Sequence, residues 1–300
     1  MAIQNNINTS SKITKFTSSG TFTINGATKA ITIIGCSSGG GGGSGRRGGT
    51  GSAGGGQGGN YGSFIFYDRT PVFVFSSPIS VTIGGTAAGG SARTTDNTDG
   101  NAGTASNISS FGLLIPTSST AAKGGVSGTT TNGTAFTPLT IRIASGDNIV
   151  NSGTVTTGVN GNQVGYCFTG TAGGGGSGAN GSTPQQAGNG GIRNLSVYGT
   201  AQTAVGSNFT NGAAGGISSG TINGSNGSDY AAVSDGCFVG GTGGGGGGGQ
   251  STVGGAVAGT GGNGGICGAG GGGGGGSINA TNSGAGGSGS RGELWVIEYF

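Results

Sequence analysis

Histidine is absent from this 300-residue chain, and charged side chains make up only 6% of it, against roughly 25% in ordinary soluble domains. Without histidine and without a Cys-x-x-Cys pair, zinc and haem have almost no ligands to draw on, so no cofactor is expected. Proline occurs five times, which excludes collagen, whose triple helix needs abundant proline and glycine at every third position throughout. No apolar run approaches the ~18 residues of a membrane span, so no membrane insertion is expected. The opening, MAIQNNINTSSKI, is polar and lacks the apolar core of a signal peptide, which predicts synthesis in the cytosol. A net charge of +3, with Arg46-Arg47 the only adjacent basic pair, is too weak and scattered for a nucleic-acid interface. Amphipathic helical periodicity is missing as well. The four cysteines, Cys36, Cys167, Cys237 and Cys267, are sparse beside a secreted disulfide scaffold, and they read as buried free thiols acting as small hydrophobes, with three pairings open.

What the chain has is glycine, 82 residues of it, and a set of short β signals. The β signals are Ile13 to Phe16, Gly20 to Ile24, Lys29 to Gly35, Ser63 to Tyr67, Val72 to Phe75, Ile79 to Ile83, Phe111 to Ile115, Leu139 to Ala144 and Glu293 to Phe300. Asn25-Gly26 is a turn signal. Most strands precede residue 145, and the strong apolar run after residue 170 is the C-terminal ELWVIEYF. Left exposed, its large side chains would each forfeit about 1.5–3 kcal/mol. The C-terminal strand is therefore expected to return to a sheet built by the N-terminal half, closing the glycine-rich material at both ends.

Within that material glycine recurs at every third position: 39, 42, 45, 48, 51 and 54, and again 259, 262, 265, 268, 271 and 274. A period of three matches an extended polyproline-II-type helix with a rise of about 3.1 Å per residue. Such a helix has no internal hydrogen bonds, so its N–H and C=O groups must pair with neighbours or with water. Glycine lets the neighbours come close enough. Ordering a glycine costs roughly 0.5–1 kcal/mol more than ordering an alanine, and each hydrogen bond returns only about 1 kcal/mol net. Such a bundle must therefore be closely packed, almost fully hydrogen-bonded and clamped by the β base. The sequence thus predicts an all-β protein: a small sheet or sandwich base closed by the C-terminal strand, carrying polyglycine II-like helices and glycine-rich loops. The base is expected over 17–36, 63–84, 111–145 and 293–300, the glycine-rich tracts over 37–62, 85–110 and 170–292, and an attachment segment over 1–16.

Three blocks in this order carry a resemblance: GTFTINGATKAITIIGCSSGGGGG, then ISVTIGGTAAGG (Ile79 to Gly90), then the closing GGSGSRGELWVIEYF. Over 17–300 the chain resembles glycine-rich bacteriophage tail-fibre and fibre-tip adhesin domains of the polyglycine II sandwich type, departing from them in the Thr- and Ser-rich stretch 111–160. The resemblance implies a non-enzymatic structural protein of the virion tail fibre, made in the host cytoplasm. It would partner other tail or fibre proteins, recognise a bacterial surface glycan or outer-membrane protein, and assemble as a homotrimer. The alternative is a purely architectural fibre-shaft or decoration subunit without receptor binding. An ice-binding glycine bundle would need a regular Thr or Ser face, which Gly243 to Gly249 does not supply, and a disordered matrix protein would have no use for the apolar C-terminus.

Chemistry-bearing motifs are few. Gly43 to Gly48, GSGRRG, matches a dinucleotide fingerprint, but no helix follows it. Asp96 to Gly100, DNTDG, and Asp147-Asn148 have too few carboxylates for a calcium loop, and turn chemistry explains them. Cys167 and Cys237 have no evident catalytic partner, and no enzymatic activity is expected. Sequons such as Asn107, Asn194, Asn208 and Asn279 follow from the abundance of Asn, Ser and Thr. Aromatic residues isolated among the glycines (Tyr61, Tyr166, Phe168, Tyr198, Phe209, Tyr230 and Phe238) either plug bundle ends or sit on loop tips, where they offer large contact area at little entropy cost. On the loop-tip reading, Arg46, Arg47 and Arg193 are expected to add charge-assisted contacts to anionic surface sugars or phosphates. The candidate receptor-binding set is therefore Arg46, Arg47, Tyr61, Arg193, Tyr198, Phe209 and Tyr230.

Overall fold

Two antiparallel sheets face each other across one apolar core. The computed structural model describes residues 11–114, 170, 172–180, 183–184, 186–187, 189–190, 216, 223–226, 241–250 and 257–300. The larger sheet runs β1 (Ser11–Phe16), β10 (Glu293–Tyr299), β3 (Ala30–Cys36), β5 (Phe64–Pro71), and the smaller runs β2 (Gly20–Phe22), β6 (Ile79–Thr82), β7 (Ser110–Phe111). Alternation along each strand decides the inner face. Ile31 and Ile33 of β3, Ile65 of β5, and Leu294 and Val296 of β10 meet Phe22 of β2, Ile79 and Val81 of β6, and Phe111 of β7. The C-terminal strand does return: it lies inside the larger sheet, paired on both sides, Val296 opposite Thr14 and Ile33. The fold is all-β, as expected, and no helix among the described residues is long and apolar enough to cross a membrane.

Some local expectations are revised. The segment Val72 to Phe75 is not a strand; Val72–Val74 is one 3-10 turn. Val72 and Phe75 pack on the core while Phe73 and Val74 are exposed, an i, i+3 pattern in place of alternation. Pro71 ends the strand because it has no N–H for the ladder, and the chain must cross here from one sheet to the other. The signal at Phe111 to Ile115 shortens to β7, since Phe111 bridges back to Leu114. Asn25-Gly26 is a turn, with Asn25 Oδ1 accepting from the Ala27 N–H, yet the strands it joins belong to different sheets. The last six residues of the expected attachment segment 1–16 form edge strand β1. Leu139 to Ala144 lies outside the described residues.

The glycine-rich segments form a second layer of order that continues the sheets. Nine extended segments stand out among the described residues, here g1 (37–48), g2 (53–62), g3 (86–93), g4 (98–109), g5 (172–178), g6 (241–250), g7 (257–265), g8 (268–278) and g9 (281–292). Donations from one segment to a given neighbour recur at every third residue, the repeat of a polyglycine II helix. From g1, the N–H groups of Gly40, Gly43 and Arg46 reach Asn60, Gln57 and Gly54 of g2; those of Gly39, Gly42 and Gly45 reach Ser290, Gly287 and Gly284 of g9; and those of Ser38, Gly41, Ser44 and Arg47 reach Asn107, Thr104, Asn101 and Thr98 of g4. The register is inherited from the base. Cys36 faces Phe64 in β5 and Glu293 in β10, and the same pairing continues without a shift from β3–β5 into g1–g2 and from β3–β10 into g1–g9. Likewise Val81 opposite Phe111 runs on into Thr104 bonded to Ala88.

At the centre, g8 touches six neighbours. It donates to g1 (Gly271, Gly274 and Ser277), g7 (Gly272 and Gly275) and g5 (Gly273 and Gly276), and it accepts from g2, g6 and g9, all at 2.7–3.0 Å. This is hexagonal packing with all three faces of the three-fold helix used twice. Glycine is required here by contact with backbone: a Cβ on Gly270, Gly271, Gly272, Gly273, Gly274 or Gly275 would sit 2.0–2.1 Å from a neighbouring carbonyl oxygen. Each period-three run in the sequence turns out to span two antiparallel helices around a turn. The first run breaks at Gly51 (φ +90°) between g1 and g2, and the second at Gly268 (φ +73°), where g7 ends and g8 begins.

Buried serines complete the bonding. Oγ of Ser38, Ser44 and Ser37 accepts from the N–H groups of Asn107, Asn101 and Ser109, and Ser290 Oγ accepts from Ala269. Along the outer edge, Oδ1 of Asn223, Asn226 and Asn263 accepts from Thr260, Asn263 and Ser288, covering N–H groups with side-chain amides.

The turn from g8 to g9 places Asn279 (φ 58°) and Ala280 (φ 61°) consecutively in the left-handed region. That is the type I′ pattern, which favours Asn-Gly. Ala280→Gly is therefore expected to stabilise the protein by about 0.5–1 kcal/mol, since alanine there carries a steric cost of roughly 1–2 kcal/mol that glycine lacks, less the larger entropy glycine loses on folding. A shift in urea midpoint at unchanged m-value is the measurement, and a lower midpoint contradicts the turn geometry.

Candidate functional site

Because g1, g2, g3, g4 and g9 all join strands of the sandwich at one end, their free turns gather at the other. This tip comprises 49–52 between g1 and g2, 94–97 between g3 and g4, and 279–280 between g8 and g9, brought together by Gly48 N–H to Ser277 C=O and Asn279 N–H to Gly49 C=O. A small three-stranded sheet, β4 (Ser52–Ala53), β8 (Ala179–Asn180) and β9 (Thr183–Pro184), closes it. Beneath lies a second apolar cluster of Ala53, Ala179 and Ile278, so short aliphatic groups plug this end of the bundle.

Arg46 and Arg47 occupy the last turn of g1, at the tip, and their guanidinium groups are paired inside it, Arg46 through Nη1 alone. Arg46 pairs with Asp99. Arg47 Nε donates to Asp96 at 2.7 Å, and its Nη1 donates to the Thr94 carbonyl and to Asn282 Oδ1. Both arginine side chains are only 12% exposed, whereas Asp96 and Asp99 are 43% and 57% exposed. The cations lie underneath and the carboxylates face out. Arg93 Nε adds a bond to the Asp99 carbonyl, and Asn97 (φ 57°) accepts from the Gly49 N–H through Oδ1. The outward chemistry is Thr50, Thr94, Thr95, Asp96, Asn97 and Asp99: hydroxyls, an amide and carboxylates on a backbone braced by arginine.

Of the other predicted site residues, Tyr61 is not brought to this place. Tyr61 is half-buried at the base end of g2, seven residues beyond Gly54 and so roughly 22 Å from the tip along the helix. Arg193, Tyr198, Phe209 and Tyr230 lie outside the described residues, as do Tyr166, Phe168 and Phe238. Sequence reasoning treated DNTDG as a turn and passed over its role as counter-ion for Arg46-Arg47. The available signal was scarcity: in a chain with eight acidic residues, a close pair of aspartates and the one adjacent pair of arginines are natural partners. The GSGRRG match fails for a visible reason. Every N–H from Gly43 to Gly48 is bonded to a carbonyl of g2, g4, g8 or g9, leaving none to cradle a phosphate. The cysteine reading is corrected in part: Cys36 and Cys267 form a disulfide with Cα atoms 6.5 Å apart, inside the usual range. Cys167 and Cys237 lie outside the described residues.

No protein-family model matches the chain, and no curated protein is significantly similar to it in sequence.

Proposed function

We propose that the protein is a non-enzymatic structural component of a bacteriophage virion, a tail-fibre or fibre-tip adhesin whose tip turns meet a bacterial surface. The observation that carries this reading is the separation of roles along one axis. An apolar sandwich sits at one end, a hydrogen-bonded glycine bundle forms the body, and polar turns cluster at the far end. Loops on a stiff scaffold are where recognition residues accumulate, because the scaffold absorbs the ordering cost in advance. Hydroxyl, amide and carboxylate groups suit the hydroxyls of a surface glycan, and an outer-membrane protein is the other candidate receptor. Other tail or fibre proteins are the proposed partners and a homotrimer the proposed assembly. The engagement of Arg46 and Arg47 by Asp99 and Asp96 favours a second reading, a fibre-shaft or decoration subunit in which the tip is only structural.

One experiment separates the two. Purified protein is expected to coat susceptible bacteria and to block adsorption of the phage that carries it, and the triple variant Thr94→Ala, Thr95→Ala, Asn97→Gly is expected to lose at least tenfold in cell binding with its melting temperature retained. Normal adsorption by virions lacking the protein defeats the adhesin reading and leaves the architectural one.

A further inference from the structure

We propose that the Cys36–Cys267 disulfide is the register pin of the central glycine helix, and that oxidation of this one pair commits the bundle to a single alignment. The inference rests on the bonding pattern and is independent of the receptor reading.

The helices g1, g2, g3, g4 and g9 each extend a strand, and their registers are continuations of sheet registers set by apolar side chains. Helix g8 extends none: a turn at 266–267 leads into it and the 279–280 turn follows it. Between Gly270 and Gly276 it carries no side chain at all. Over this stretch every residue offers its neighbours the same backbone groups, so only features at its two ends oppose a slip of g8 by three residues, about 9 Å. Flat, glycine-rich strands have weakly specified register for the same reason.

The disulfide supplies what the side chains do not. Gly271 bonds to Gly40, Gly274 to Gly43 and Ser277 to Arg46, each pair 231 residues apart, and Cys36 and Cys267 are separated by the same 231 residues. The covalent bond thus has the same offset as the g1–g8 ladder, four residues before its first hydrogen bond. It ties the end of β3, whose register is fixed in the sandwich, to the start of a helix that extends no strand. The other features that distinguish one register from the next lie at the ends of the bare stretch: the turns to g7 and g9, Ala269 on the base side and Ile278 in the tip cluster.

Both cysteines are fully buried, so reductant reaches the bond only when the bundle opens. In a reducing cytosol the chain begins with thiols. Exchange with a low-molecular-weight disulfide such as oxidised glutathione then closes the pair. One cysteine thiolate attacks the reagent and expels a glutathione thiolate; the second attacks the mixed disulfide and expels another. The two cysteine protons end on two glutathione thiols.

The test is hydrogen exchange followed by mass spectrometry on three samples: the oxidised full chain with the Cys36–Cys267 peptide pair verified, the same chain prepared throughout under reductant, and Cys36→Ser/Cys267→Ser. Exchange across 270–276 is expected to accelerate at least tenfold in the second and third samples, with 31–35 and 294–298 in the sandwich unchanged. Equal protection of 270–276 in all three overturns the proposal. Loss of protection in the sandwich as well also overturns it, because the bond would then be holding the whole fold and not the register of one helix.

Discussion

Gly272→Ala is expected to cost the protein about 3 kcal/mol or more, and Gly85→Ala to cost nothing. At Gly272 the new methyl would sit 2.0 Å from the Gly245 carbonyl oxygen and 2.5 Å from its carbon. Neither belongs to a side chain that can swing aside. The backbone of g6 must move, and g6 is itself bonded into the bundle, so the strain spreads across a lattice with no slack. At Gly85 no heavy atom lies within 4 Å of the added methyl and φ is ordinary. Alanine there restricts the unfolded chain and stabilises by up to about 1 kcal/mol. Thermal unfolding monitored by circular dichroism checks the pair: Gly272→Ala is expected to melt roughly 5–10 °C below the parent and Gly85→Ala at or slightly above it. Equal melting temperatures would show that the glycine helices are not in close contact. The same measurement on Gly273→Ala tests another face of g8, directed at the Gly56 carbonyl.

The second large effect lies where sheet passes into bundle. Glu293, the first residue of β10, is fully buried opposite Cys36, with Lys15 at 3.0 Å and Arg291 at 2.6 Å. Lys15→Ala/Arg291→Ala leaves a buried carboxylate without a counter-charge and is expected to cost about 3–5 kcal/mol. Adding Glu293→Leu to that double variant is expected to recover most of the loss, because replacing a whole buried ion cluster by an apolar side chain is often neutral. Urea midpoints of the double and triple variants decide it; a triple variant no more stable than the double would mean that the cations act through packing alone. Glu298 is held differently, accepting from Thr28 Oγ1 and the Asn25 N–H with the more exposed Lys12 at 3.9 Å, so Lys12→Ala is expected to matter little.

Much of the base was legible in advance, because strands that bury one face carry a side-chain code. Ile31 and Ile33, Ile79 and Val81, Leu294 and Val296 alternate as two-sided strands must. Where that code was misread, at Val72 to Phe75, a run of apolar residues hid a turn that buries two of them and exposes two. The site was less legible. Arg46 and Arg47 read as free cations because their aspartates arrive about fifty residues later in the chain, and only the antiparallel packing of g1 on g4 brings the two together.

The order of residues alone makes this chain all-β, returns its C-terminus to the sheet and lets its glycines form three-residue helices that pack without side chains. Which helix lies against which, the six neighbours of g8, the meeting of Cys36 with Cys267 and the inward turn of the paired arginines arise in the packing. A glycine presents its neighbours with the same N–H and C=O as any other glycine, so a glycine helix carries no record of its partners. Those partners are chosen by the strands, turns and covalent bond at its ends.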